Sequence, residues 1–222
     1  MHAQSAPAAV LWDMDGTLVD TEPYWINTEF ALAQEYDAPW SQEHALQLVG
    51  NDLIVSGEYI KRVMGLPLTP AQIVERLLDG VVEQMKAHVP WRPGARELLA
   101  DLRAHDIPCA LVTMSYRRFV QPMLAALPDD TFTAVITGDE VSQGKPHPEP
   151  YLAAARALGV PAQACLAIED SDTGATSAQA AGCVTVVVPN HVPVPERTGR
   201  HRWSSLEGVT VSDLSGFIAI PR

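Results

Sequence analysis

Two rhythms of apolar and polar residues divide this chain. At the start, "AAVLWD" is an unbroken apolar run that gives way to an acidic turn with Gly16 and Thr17, and it reads as a buried strand ending near Trp12. From about residue 21 to 90 the periods become helical, with no convincing strand. "TEPYWINTEFALAQEYDA" carries Trp25, Phe30, Leu32 and Ala33 at mixed three- and four-residue steps. "TPAQIVERLLDGVVEQMKAHV" has a stronger signature. Thr69 stands as a cap, Pro70 takes the first helical position, and Gln72 follows three residues after the cap. Behind them Ile73, Leu77, Val81 and Met85 fall four apart and make one apolar stripe.

Beyond "WRPGARELLADLRAHDIPCALVTMS" helix and strand alternate. Helices are expected over 93–106, 116–127, 148–159 and 173–182, and strands over 107–113, 132–138, 164–170 and 183–189. The segment 190–205, rich in proline and arginine, reads as loop, and "SSLEGVTVSDLSGFI" closes the chain with a helix. Short apolar strands alternating with helices imply a parallel sheet covered on both faces. The expected fold class is therefore α/β. Residues 1–20 and 91–222 form a Rossmann-like parallel core, interrupted by an inserted all-helical cap over 21–90.

Composition narrows the function classes. The 222 residues are 47% hydrophobic and 19% charged, with a formal net charge of −12. That acidity argues against nucleic acid or an anionic membrane as partner. No apolar run approaches the ~18 to 20 residues of a membrane span. The N-terminus shows no basic region followed by a long apolar stretch, so the cytoplasm is the expected location. Cys109, Cys165 and Cys183 are far apart, each in or beside an apolar run, and are expected as buried free thiols. A monomer is expected, with a dimer as the alternative.

Open parallel sheets bind ligands beyond the carboxyl ends of their strands. There the sequence places Asp13 and Asp15, then Thr113, Met114 and Ser115, then Lys145 within "SQGKPHPEPY", then Glu169, Asp170 and Asp172. Carboxylates, a hydroxyl and one lysine suit a divalent cation bound together with a phosphate. A phosphate ester repels anionic nucleophiles, so positive charge must offset that repulsion. Mg²⁺ takes oxygen ligands, and Asp13, Asp170 and a carbonyl of the 13–15 turn are candidates. Lys145 can contact a phosphate oxygen and pair with Asp13, while the Thr113 hydroxyl and the amides of Met114 and Ser115 can donate. Of Asp13 and Asp15, one can attack phosphorus while the other gives a proton to the leaving oxygen.

Four segments, "DMDGTLVDTEP", "LVTMS", "GKPHPEPY" and "IEDSDTGATSAQAAG", resemble in order the four motifs of the haloacid dehalogenase-like hydrolases. The helical insertion resembles the small cap of the subgroup holding β-phosphoglucomutases and sugar-phosphate phosphatases. The resemblance implies Asp13 as nucleophile forming an aspartyl-phosphate and Asp15 as general acid/base. It implies Thr113 and Lys145 as phosphate binders, and Asp13, the Asp15 backbone and Asp170 around Mg²⁺, with Glu169 as a further or second-layer ligand. The partner it implies is a small-molecule phosphate ester.

Departures within that family choose among its reactions. Dehalogenase and phosphonatase-like members lack the second acid, so Asp15 favours phosphoryl transfer. β-Phosphoglucomutase-like members carry a histidine where this chain has Trp25, and the "NDLIVS" loop after Gly50 lacks their basic residue. Hydrolysis is therefore expected, with a phosphomutase as the alternative. Tyr24, Trp25, Asn27 and the turn Gly50-Asn51-Asp52 are candidates to touch the leaving group. Asp20 and Glu22 read as hinge and helix-start residues and His147 as a loop residue. Asp172 reads as either a helix cap or a holder of metal-bound water, and Arg117 and Arg118 as a solvated or anion-contacting helix start.

Overall fold

The computed structural model describes residues 6–49, 53–214 and 216–217. The chain divides into two compact units, one of Met1–Asp20 with Trp91–Arg222 and one of Thr21–Pro90.

The first unit is built on a parallel sheet. Its strands are β1 (Ala9–Trp12), β2 (Cys109–Val112), β3 (Ala134–Ile136), β4 (Cys165–Glu169), β5 (Val184–Val187) and β6 (Arg200–Arg202), in the spatial order β3-β2-β1-β4-β5-β6. β1 lies between β2 and β4, with Trp12 opposite Leu111 on one side and Ile168 on the other. Strands β1, β2 and β4 are buried at every residue, which is why they read as unbroken apolar runs. On one face Ala9, Leu11, Ala110, Val112, Cys165 and Ala167 alternate inward and meet α7 (Glu149–Ala157) and α8 (Asp172–Ala181). Most of these side chains are small, so both helices lie close to the sheet. Among the described residues the other α-helices of this unit are α5 (Ala95–Ala104), α6 (Arg117–Ala125) and the single turn α9 (Val211–Leu214). The three cysteines are buried and free.

β6 corrects the sequence reading, which placed a loop over 190–205. Arg200, His201 and Arg202 pair with Thr185, Val186 and Val187 as a short edge strand. An edge strand has a neighbour on one side only, and polar side chains there carry no penalty.

The second unit is helical: α1 (Glu22–Glu35), α2 (Gln42–Leu46), α3 (Leu53–Met64) and α4 (Pro70–Ala87). Thr69 and Gln72 form the expected reciprocal cap. The Gln72 amide donates to Thr69 Oγ1 at 3.2 Å and the Thr69 amide to Gln72 Oε1 at 2.9 Å. Ile73, Leu77, Val81 and Met85 are all buried. In α1 the buried set is Thr28, Glu29, Leu32 and Ala33, whereas Phe30, expected on the apolar face, is exposed. Gln84 ties the two long helices together, donating to the Tyr24 carbonyl at 3.1 Å and to Thr28 Oγ1 at 3.0 Å. Among the described residues no helix is long and apolar enough to cross a membrane.

Candidate active site

The strand ends bring the candidate residues together at the middle of the sheet. Asp13 follows β1, and its amide donates to the Ile168 carbonyl of β4 at 3.1 Å, so the carboxylate emerges beside the end of that strand. The backbone then turns sharply. Leu18 and Val19 amides donate to Met14 O, and Gly16 N donates to Val19 O at 2.7 Å. Gly16 has φ +89°, and a Cβ there would stand 2.0 Å from Asp170 Oδ2. Glycine is required at this position by both conformation and space. Asp15 lies in the same turn, half-buried, its backbone bridged to Val19.

Lys145 is the centre of the electrostatics. Its Nζ donates to Asp13 Oδ1 at 2.7 Å, to Glu169 Oε1 at 2.6 Å and to the Val112 carbonyl at 2.9 Å. An ammonium has three donors, and here each has an acceptor. The side chains of Lys145 and Glu169 are 6% and 0% exposed, so this is a buried ion pair. Burial opposes the charge on Lys145, but the carboxylates of Asp13 and Glu169 more than offset it and hold its pKa above that of an ordinary lysine. Glu169 is pushed up by burial and held down by Lys145, and its Oε1 also accepts from Tyr151 Oη at 2.5 Å. A Cβ at Gly174 would fall 2.0 Å from the Glu169 carboxyl, so the first turn of α8 is also shaped around this acid.

Negative charge outweighs positive at the centre. Oxygens of Asp13, Glu169 and Asp170 lie within 4.8 Å of one another, and the Lys145 ammonium contacts two of the three carboxylates. Burial, followed by Asp13, Glu169 and Asp15, pushes the Asp170 carboxyl up to about 9. Asp13 Oδ2 is buried with no hydrogen-bond partner. A buried carboxylate oxygen in that state is costly unless a cation meets it. The donor set is all oxygen, which fits a hard divalent ion and not zinc in a nitrogen or sulfur site.

Beside this cluster stands the end of β2. Thr113 is buried, and its Oγ1 accepts the Ser115 amide at 3.1 Å. The Ser115 amide, expected to face a phosphate, is thus engaged locally, while the Thr113 hydroxyl keeps its proton to donate. Met114 is half-buried, and its sulfur accepts the Lys145 amide at 3.2 Å, tying the second and third loops together.

Several flanking residues take other places. Asp172 is neither the cap of α8 nor turned to the acidic cluster. Ser171 caps the helix through the Gly174 amide at 3.1 Å, and the Asp172 oxygens meet Arg197 at 2.8 Å and Arg200 at 2.6 Å. Asp20 pairs with His191 at 2.8 Å, and Arg117 with Glu140 at 2.6 Å. His147 lies in its loop, where its Nδ1 accepts the Glu149 amide. Within the helical unit the Tyr24 hydroxyl donates to His88 O, Trp25 Nε1 to Thr21 Oγ1, and Asn27 Nδ2 to Gln84. Gly50-Asn51-Asp52 lie outside the described residues. Tyr151 had no role in the sequence reading. The signal was its place at the end of "GKPHPEPY", one helical turn beyond the lysine loop.

Comparisons with known proteins agree with this geometry. Hexitol phosphatase B of Escherichia coli is 29% identical over 219 residues, covering 94% of this chain and 96% of that protein. Protein CbbY of Rhodobacter capsulatus is 34% identical over 201 residues, covering 82% and 85%. The crystal structure of CbbY from Rhodobacter sphaeroides in complex with phosphate superposes with a TM-score of 0.75 at 26% identity, covering 91% of this chain and 96% of that one. The family profile described as haloacid dehalogenase-like hydrolase matches residues 10–188, from inside β1 to just past β5. With four strand ends converging on its acids and its lysine, the chain belongs to the haloacid dehalogenase-like hydrolases.

Proposed function

We propose that this chain is a Mg²⁺-dependent phosphoric monoester hydrolase, acting on a small phosphorylated metabolite through an aspartyl-phosphate on Asp13. The observation that carries this reading is the buried, unpartnered Asp13 Oδ2 beside an Asp170 carboxyl pushed up to about 9. Such a centre has a place for one more cation. Asp13, Asp170 and the Asp15 backbone would hold Mg²⁺, with Glu169 as a further ligand. The ion would lower the negative charge between the carboxylates and an incoming phosphoryl group.

The chain's own residues supply the rest. Asp13 attacks phosphorus, the ester P–O bond breaks, and Asp15 gives its proton to the leaving oxygen. Asp15, now a carboxylate, takes a proton from water as the water oxygen attacks the aspartyl-phosphate. The bond from phosphorus to Asp13 then breaks and inorganic phosphate leaves. Thr113 donates its hydroxyl proton to a phosphate oxygen, alongside the Met114 amide. Lys145 pairs with Asp13 and aims it. It reaches a phosphate oxygen by exchanging its bond to Val112 O, the one contact that involves no carboxylate.

Residues 21–90 serve as the cap in this reading. Hydrolysis is favoured over the phosphomutase alternative by Trp25. Where related mutases carry a histidine, this chain has an indole whose N–H donates to Thr21, with no acid–base group to offer. The name of hexitol phosphatase B supports a polyhydroxylated substrate, and a sugar or polyol phosphate comes first. The test is release of inorganic phosphate from a panel of sugar and polyol phosphates with Mg²⁺. Asp13→Asn is expected to lower turnover by about a thousandfold or more. Isomer formation without free phosphate would establish the mutase instead, and silence of the folded wild type across the panel would overturn the proposal.

A further inference from the structure

The sheet edge carries a second charged feature. A cavity of about 500 Å³ opens between the end of β5, the 194–198 segment and β6. Its wall includes Val187, Val194 and Pro195 on the apolar side and Glu196, Arg197, Thr198, Arg200, His201 and Arg202 on the polar side. Three of the fifteen Lys and Arg residues of a chain with net charge −12 thus fall within six positions and share one cavity. Set against Glu196 in the wall and Asp172 behind it, the three guanidiniums leave one net positive charge at this spot of an acidic protein, and a local excess of that sign attracts anions.

The three guanidiniums differ in how they are held. Arg200 is a fixed strut, 4% exposed, donating to Asp172, Gln179 and Thr176 at 2.6, 2.7 and 2.9 Å. It already neutralises Asp172. Arg197 adds a second bond to the same carboxylate at 2.8 Å but is 53% exposed. Arg202 donates to the Val194 carbonyl at 2.9 Å, which pins the loop across the cavity mouth. A guanidinium carries five N–H donors in a rigid fork, so each of these single anchoring bonds orients the group and leaves donors over. Structural stapling accounts for Arg200. It does not account for Arg197, whose partner is already paired, or for an exposed Arg202 beside it. The His201 ring packs tilted at 52° against Phe217, centroids 4.3 Å apart, and adds one more polar edge to the same wall.

We propose that this cavity is a second anion site, taking a phosphate or phosphonate group on Arg197 and Arg202 with the apolar part of the ligand against Val187 and Val194. Bidentate contact of preoriented arginines with a dianion gives affinity at small entropic cost. The site stands on the cavity and its charges alone, independent of the reaction proposed for Asp13.

Amide NMR on the full chain in Mg²⁺-free buffer tests it, with inorganic phosphate and phenylphosphonate as probes. The signals of residues 197–202 are expected to shift saturably below about 10 mM ligand, phenylphosphonate binding several-fold tighter because of the apolar wall. The double variant Arg197→Ala, Arg202→Ala should weaken this binding by about tenfold or more. Arg197→Lys with Arg202→Lys, which keeps the charges, should weaken it less, and unchanged signals elsewhere report the fold in both. Thr113→Val should leave the 197–202 shifts in place. The proposal is overturned if those amides do not respond, if the double alanine variant binds as well as wild type, or if the shifts vanish in Thr113→Val.

Discussion

Both units of this protein bury a carboxylate, and they treat it in opposite ways. In the sheet unit Glu169 is wholly buried but meets an ammonium at 2.6 Å and a phenol at 2.5 Å, with Asp13 held by the same lysine. In the helical unit Glu29 is 4% exposed, and among the described residues its carboxyl accepts one long bond, from Trp40 Nε1 at 3.3 Å. Burial, with a smaller push from Glu22, moves the Glu29 carboxyl up to about 8, so near neutrality it keeps its proton. Burial raises both acids, but a matched cation opposes that shift at Glu169 and ties the carboxyl into the reactive cluster. An acid without a cation becomes a neutral group of the core. Burial of an acid alone therefore does not mark a catalytic residue; the company it keeps does.

The contrast can be broken most forcefully at its cation. Lys145→Met leaves Asp13 and Glu169 buried and unpaired, and should destabilise the sheet unit by about 3–5 kcal/mol in Mg²⁺-free urea unfolding. A loss below about 1 kcal/mol would mean the carboxylates are not held by this lysine. Gly16→Ala comes next. Its Cβ would collide with Asp170 Oδ2 in a left-handed backbone, at a cost of about 1–3 kcal/mol. Phosphate release should fall with it, because the Asp13–Asp15 turn must shift.

Glu29→Gln sharpens the other side. The folded-state pKa of Glu29 lies above its unfolded value, so the folded protein binds the extra proton between about pH 4.5 and 8. Wild-type stability relative to Glu29→Gln should be level below that window and fall across it, by up to about 1.4 kcal/mol per pH unit. A flat difference from pH 4 to 9 would show that Glu29 is not buried uncompensated. The smallest effect is expected at Arg76, which forks onto Glu35 at 3.0 and 3.2 Å but with both side chains about half exposed. Arg76→Ala should cost about 0.5–1 kcal/mol at low salt and less at high salt, in the same unfolding assay.

What could be read from residue order follows from the same physics. The strands β1, β2 and β4 are buried on both faces, so continuous apolar runs mark them, and the acids just beyond them locate the cluster. The Thr69–Gln72 cap is equally local. β6 was hidden because an exposed edge needs no apolar residue, and Arg-His-Arg carries no strand rhythm. Contacts set by helix placement were beyond reach as well. Tyr151 meets Glu169 across 18 positions and Arg200 meets Asp172 across 28, and no periodicity encodes either meeting. The full engagement of Lys145 is likewise set by the tertiary fold, since spacing announces a lysine but does not count its acceptors.

The backbone around the insertion has a consequence for how such a protein can be remodelled. Val19 bridges antiparallel to Trp91, and the Arg92 amide donates to Leu18 O at 2.8 Å. The departing and returning chain are therefore already stitched side by side at the sheet. Exchanging 21–90 for a longer module, or for a tight hairpin, asks little closure entropy of the remaining scaffold. The junction is a socket within the sheet unit, and that unit is expected to keep its fold when the insert is exchanged.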